Sequence, residues 1–300
     1  MTPSGTNNPK SYVGNARPAM DADNNQNKEF QKLKNALLHT ISDFLNRGLP
    51  LRRLVLVASL LEDCHVPIEG KNRLIQRILN EQNSDGGWID CEDTAWSLFL
   101  IADLNEFDAQ IKKSRQWLEN EKSTEKGWGF CNRDKSCIPI SAQILYFLTE
   151  FFPNPESMLW LEKEWEKDLN SPINLNYKAA WYLLAYHKFH DRMNLSSQLF
   201  ETTLEYLIAE QRSNGSWGPW RKHPASGDCF ITGISLGALA ISYPIVKEYK
   251  IIPSLKSGIQ WIKKNQLENG LFPTHYIEEG SAWLFFGWCK ANNIINNTNL

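Results

Sequence analysis

The sequence predicts an all-α fold: one closed (α/α)6 toroid of six helical hairpins, with an inner and an outer helix layer. Three observations predict it. A glutamine-to-aromatic turn recurs as Gln82-Asn83-Ser84-Asp85-Gly86-Gly87-Trp88, Gln211-Arg212-Ser213-Asn214-Gly215-Ser216-Trp217 and Gln266-Leu267-Glu268-Asn269-Gly270-Leu271-Phe272, with a degenerate copy at Lys126-Gly127-Trp128-Gly129-Phe130. Each copy follows a stretch with apolar residues at i, i+3, i+4 and i+7 and precedes a more uniformly apolar one. Strand signals are almost absent.

Residues 1–28 are rich in Asn, Ser, Pro and Gly and bury little, so they read as a mobile tail ahead of the toroid at 29–300. In chain order the hairpins pair 30–47 with 51–62, 72–82 with 93–104, 110–121 with 139–151, 155–169 with 177–189, 195–211 with 229–242 and 252–266 with 281–292. The first member of each pair is half polar and suits an outer layer. The second is apolar nearly all round and must be enclosed. Gln82 and Gln211 lie three units of about 43 residues apart, and six hairpins of about 45 residues use the chain without remainder. The period alone leaves an open solenoid as the alternative.

Composition bounds the function. Lys+Arg 32 against Asp+Glu 34 gives a net charge of -2, which does not recommend a nucleic acid as partner. Six cysteines without a CxxC pair suit a reducing, cytoplasmic setting. No apolar run is expected to reach the roughly 18 residues of a membrane span. Trp 12, Phe 14 and Tyr 9 form an aromatic load that needs a packing or binding role.

In the repeated turn, Asp-Gly or Asn-Gly supplies the left-handed residue that ends a helix. The following aromatic folds back on that helix, and the glutamine bonds the turn's backbone. Directly after the first copy comes Asp90-Cys91-Glu92-Asp93-Thr94-Ala95. Together these resemble the QW repeats and the Asp-x-Asp-Asp-Thr-Ala motif of squalene-hopene cyclases and other class II terpene cyclases, over about residues 70–290. The resemblance implies protonation-initiated cyclisation of a linear isoprenoid, a prenyl diphosphate or a prenylated small molecule. The match holds at Asp90, Asp93, Thr94 and Ala95. At the middle position, whose Asp donates the proton in that family, Glu92 stands instead. The family's enzymes usually have two helical barrels, and this chain has room for one.

Protonating an alkene requires a carboxylic acid kept neutral near pH 7. A helix dipole favours the anion by roughly 0.3 to 1 kcal/mol, whereas burial and like charge raise a carboxyl by up to about 3 to 5 pKa units. A buried cluster would therefore hold a proton. Glu92 or Asp93 is the expected donor, with Asp90 as the charge that keeps its neighbour protonated. Glu278-Glu279-Gly280-Ser281-Ala282-Trp283 aligns with Cys91 to Trp96 and gives Glu92 an internal counterpart, Glu279, but none to Asp93, which favours Asp93. Capping of the inner helix is the structural alternative for these acids.

Trp96, Phe99, Tyr146, Tyr177, Trp181, Phe230 and Trp283 are the candidate wall of a cation-stabilising cavity, with ordinary interlayer packing as the competing role. Arg133, Arg221 and Lys222 are the candidate cradle for a diphosphate, supported by Lys135, Lys178 and His223; surface solubility explains them equally well. No cofactor is implied, and Mg2+ would enter only with a diphosphate substrate. Three alternatives stay open. The turns also resemble those of protein prenyltransferase β subunits, with Asp228, Cys229 and His275 as the zinc trio. Glycan-processing enzymes share the toroid and would pair Asp93 with Glu279 or Asp228. A toroid that only binds a lipid or partner is the third.

Overall fold

A computed structural model describes residues 28–171, 174–222, 227–247 and 250–298. The expected tail falls almost wholly outside them. The described residues form α1 (Lys28–Arg47), α2 (Leu51–Asp63), α3 (Lys71–Asn80), α4 (Cys91–Ile101), α5 (Asp108–Glu121), α6 (Ile138–Leu148), α7 (Pro155–Leu169), α8 (Asn176–Phe189), α9 (Ser197–Ala209), α10 (Cys229–Val246), α11 (Ile251–Asn265) and α12 (Ile277–Asn297). The β structure among them is one isolated bridge, Leu175 to Trp220.

Patterning decides the layers. In α6 every residue but Pro139 is buried, whereas α3 buries only Leu74, Ile75 and Ile78. The six even-numbered helices accordingly form an inner ring, in which α2, α4, α6, α8, α10 and α12 each pack on the next and α12 packs back on α2. The ring is closed, so the solenoid alternative falls. Odd-numbered helices lie outside, and every inner helix is entered from an outer one. All inner N-termini therefore open on the same mouth.

The glutamine-aromatic turns brace this arrangement. The Trp88 indole donates to Ile78 O (2.9 Å) and the Trp88 backbone N–H to Thr94 Oγ1 (3.0 Å). Trp217 does the same with Leu207 O (2.7 Å) and Thr232 Oγ1 (3.1 Å). Each aromatic thus joins the end of an outer helix to the start of an inner one. Gln82 Nε2 donates to Gly86 O (3.0 Å) and to Ser114 Oγ of the next outer helix (2.8 Å). Gly86 has φ +103, and a Cβ there would stand 2.6 Å from the Lys113 backbone, so the turn needs glycine for both conformation and space.

One expectation is corrected. Helix α10 has 18 residues with mean hydropathy 1.8, long and apolar enough by that measure to cross a membrane. It is an inner-ring helix, 67% buried, pressed on α12 through Gly233, Gly237 and Gly287. Enclosure by other helices, rather than by lipid, accounts for its composition.

Candidate active site

The mouth begins with helix capping. Asp90 is the N-cap of α4, and its Oδ1 accepts the Asp93 backbone N–H at 2.9 Å. This one-turn geometry gathers Asp90, Glu92 and Asp93 on the first turn of an apolar helix. Opposite them stands Arg52, in the first turn of α2. Its Nη1 donates to Asp90 Oδ2 (2.7 Å) and Asp93 Oδ2 (3.0 Å), and its Nη2 donates to Glu92 Oε2. Gln143 Nε2 of α6 donates to Glu92 Oε1 at 2.7 Å.

One guanidinium faces three carboxyls, so it cannot neutralise them all. Burial raises the Glu92 carboxyl to about 7, against the opposing pulls of the Gln143 hydrogen bond and Arg52. Burial, aided by the charge of Asp90, likewise raises Asp93 to about 7. Burial by itself would lower the Arg52 guanidinium; its bond to Asp90 and the charges of Asp93 and Glu92 outweigh that and raise it. Asp93 is 2% exposed and its Oδ1 has no partner, nor do the buried Trp96 indole N–H and Gln143 amide oxygen.

Two clefts open beside the cluster. The first, about 740 Å³ with its open mouth, is lined by Arg52, Arg53, Leu56, Glu92, Trp96, Tyr276 and Glu279. The second, about 640 Å³, includes Tyr177, Asp228, Phe230 and His275 and shares Tyr276 and Glu279 with the first. Asp93 instead lines a smaller pocket of about 340 Å³, with Val55, Trp88, Ile89 and Ser97 among its neighbours. Glu92, not Asp93, therefore faces the large cleft, the reverse of what the internal repeat favours.

Of the aromatic wall, Trp96, Tyr177 and Phe230 line these clefts. Phe99, Tyr146, Trp181 and Trp283 line none of the clefts described above. Trp181 meets Trp283 edge-on at 5.3 Å, Phe99 packs on Phe147 at 5.2 Å, and the Tyr146 hydroxyl donates to Asp63 Oδ2 (3.0 Å), at the far end of α2. The close approach of the inner helices brings rings from different helices together in the space between them, with Tyr146, Trp181 and Trp283 buried there and Phe99 half-buried.

The cationic cradle is not assembled either. Arg221 turns to the outer helix α9, with Nε 3.7 Å from Glu210 Oε1 and its guanidinium 4.9 Å from the Tyr206 ring. Arg133 and Lys222 are exposed and line neither cleft. Lys178 bonds Asp168, and His223 lies outside the described residues. The cations that line the first cleft are Arg52 and Arg53, and sequence reasoning missed both, along with Gln143. A signal existed: two arginines open an otherwise apolar inner helix, at the end where its dipole disfavours positive charge.

Among the described residues no group of three or more His, Cys, Asp or Glu side chains is placed to hold a metal ion. Asp228 caps α10 by accepting the Ile231 N–H at 2.9 Å, and burial pushes the neighbouring Cys229 thiol up to about 12. For the glycan-processing alternative, the carboxyls that share the large cleft are Glu92 and Glu279, not Asp93.

No family model matches the chain, and no curated protein matches it in sequence. Solved structures do resemble it. The type II terpene cyclase MstE from Scytonema, in complex with its substrate geranylgeranyl dihydroxybenzoate, is 13% identical with a TM-score of 0.66 over 89% of this chain and 99% of that one. The ent-copalyl diphosphate synthase from Streptomyces platensis is 15% identical with a TM-score of 0.60, covering 81% of this chain and 50% of that one. A possible member of the GH105 family from Salmonella enterica is 11% identical with a TM-score of 0.61 over 97% and 100%. The likeness establishes the fold: this chain is a helical toroid of the kind found in type II terpene cyclases.

Proposed function

We propose that the protein is a class II-type terpene cyclase, which protonates a linear isoprenoid, a prenyl diphosphate or prenylated small molecule, and folds it into rings. The observation that carries this reading is the pair of carboxyls Glu92 and Asp93 in the first turn of α4: drawn back from solvent, each raised to about 7, and opening through Glu92 onto a cleft with Trp96 in its wall. The neutral Glu92 carboxyl donates its proton to a terminal double bond. The resulting carbocation is attacked by the next double bond, and the final cation loses a proton or captures water. Trp96, Tyr276, Tyr177 and Phe230 present rings along the clefts, and each is worth about 0.5 to 2 kcal/mol toward a passing positive charge. Arg52 and Asp90 hold the cluster in register. That MstE and the copalyl diphosphate synthase share the fold supports the reading.

The test is incubation of purified protein with farnesyl and geranylgeranyl diphosphates and with prenylated phenols, followed by product analysis after phosphatase treatment. Glu92→Gln should lower kcat by about 10²- to 10⁴-fold, the usual worth of a positioned acid. Undiminished turnover in that variant would remove Glu92 from the role.

A second reading has one observation behind it. Glu92 and Glu279 line the same cleft, as the acid and base of a glycan-processing enzyme would. Turnover of oligosaccharides, with none of isoprenoids, would establish it instead.

A further inference from the structure

The clefts carry an unusual charge balance. Their two arginines are both already engaged by carboxylates: Arg52 by Asp90, Glu92 and Asp93, and Arg53 by Glu278 at 2.8 Å. Arg53 also lies over the Tyr276 ring, at 4.6 Å. Two further carboxyls, Glu279 and Asp228, line the second cleft, and among the described residues neither is in salt-bridge contact with a cation, Arg52 and Arg53 acting on Glu279 only at longer range. Beside them stand the Tyr177 and Phe230 rings, 6.1 Å apart, and the His275 and Tyr276 rings, 4.5 Å apart. Carboxylates accept hydrogen bonds and repel anions, and ring faces attract positive charge. The arginine and lysine that sequence reasoning assigned to a diphosphate, Arg221 and Lys222, do not line this cleft.

From this arrangement we infer that the second cleft, between Asp228, Glu279, Tyr177 and Phe230, is a subsite for a non-anionic polar head group that donates hydrogen bonds, an alcohol, phenol or amine, and that it discriminates against a free diphosphate. The inference rests on the cyclase reading only for the isoprenoid chain attached to that head. The chain would extend from this cleft past the shared Tyr276 and Glu279 toward Trp96 and Glu92, which fixes the order in which the substrate lies: head group at Asp228, reacting double bond at Glu92. Glu279, common to both clefts, is then the residue that sets head-group preference.

The test measures binding rather than turnover, so that it survives failure of the cyclase reading. Equilibrium binding of farnesol, farnesylamine and farnesyl diphosphate to the full chain is followed by tryptophan fluorescence at low ionic strength, with and without magnesium. Alcohol and amine should bind at least about tenfold more tightly than the diphosphate, a difference of about 1.4 kcal/mol. Glu279→Arg, which removes an acceptor and adds a cation, should bring the diphosphate to within about threefold of the alcohol, with Glu279→Gln between the two. Preference for alcohol and amine without any cyclised product would remove the cyclase and leave the subsite. Diphosphate binding as tight as the alcohol under either condition, an unchanged preference in Glu279→Arg, or binding of none of the three overturns the inference.

Discussion

At the residue scale the decisive arrangement is three carboxyls around one guanidinium, and it has consequences in pH. Glu92 acts in its neutral form, so kcat should be level at low pH and fall as pH rises through about 7, tenfold per unit beyond it. A profile unchanged to pH 9 would contradict the assignment. The same shift acts on stability. In the folded state Glu92 and Asp93 bind protons more tightly than in the unfolded chain, where carboxyls titrate near 4. Their contribution is therefore fully present below about pH 4, declines as pH rises to about 7, and changes little above. Arg52→Gln leaves these carboxyls without their cation, and they should titrate higher still. At pH 8 that variant should lose about 2 kcal/mol, below the usual range for a fully buried pair because Arg52 reaches solvent, and at pH 5 less. Denaturant titration at the two pH values measures the difference. The acids were legible in the sequence because cap, spacing and repeat converge on them. Arg52, Arg53 and Gln143 were not, because they come from α2 and α6, and only ring geometry brings those helices to α4.

At the element scale the hairpins were readable almost to their ends, since periodicity reports directly on how much of a helix is enclosed. The depth of each aromatic was not. Trp96 and Trp283 occupy matching places in their repeats, yet one lines the cleft and the other is packed among Trp181, Phe230 and Phe286. Burial of large rings satisfies both roles, so composition cannot separate them. The turns offer a cleaner comparison, because Phe272 fills its site fully buried and without an indole N–H. Ring volume is therefore the shared requirement and the indole bond an addition. Trp217→Phe should cost about 1 to 2 kcal/mol, for the lost bond to Leu207 O and some volume, and Trp217→Ala about 3 to 5 kcal/mol. Equal losses in the two variants, read from urea unfolding, would mean that the hydrogen bond carries the turn.

At the scale of the whole molecule, closure joins the last hairpin to the first, which the chain does not connect. Gln266 Nε2 makes the same bond to its own turn as the other glutamines, at Gly270 O (2.9 Å), but its second bond goes to Glu29 O of α1 (3.0 Å). Phe30 of α1 stacks on Phe285 at 5.0 Å and meets Trp288 at 5.3 Å, while Lys290 pairs with Asp63 at 2.8 Å, so α12 is tied to both helices of the first hairpin. Contacts between elements this distant in sequence carry the largest ordering cost, so a helix held mainly by such a contact opens before the inner ring. Helix α1 is held mainly by α12 and by α2, and its tie to α12 crosses the whole length of the chain. Native-state hydrogen exchange should give the amides of α1 a lower opening free energy than those of the inner ring. Gln266→Ala should lower it by about 1 kcal/mol more in α1 without a matching change in α6 or α8, whereas Gln82→Ala, whose partner Ser114 lies in the adjacent hairpin, should leave α1 unaffected. If Gln266→Ala lowered protection equally in every helix, the ring would open only by global unfolding, and the seam would be no weaker than any other junction.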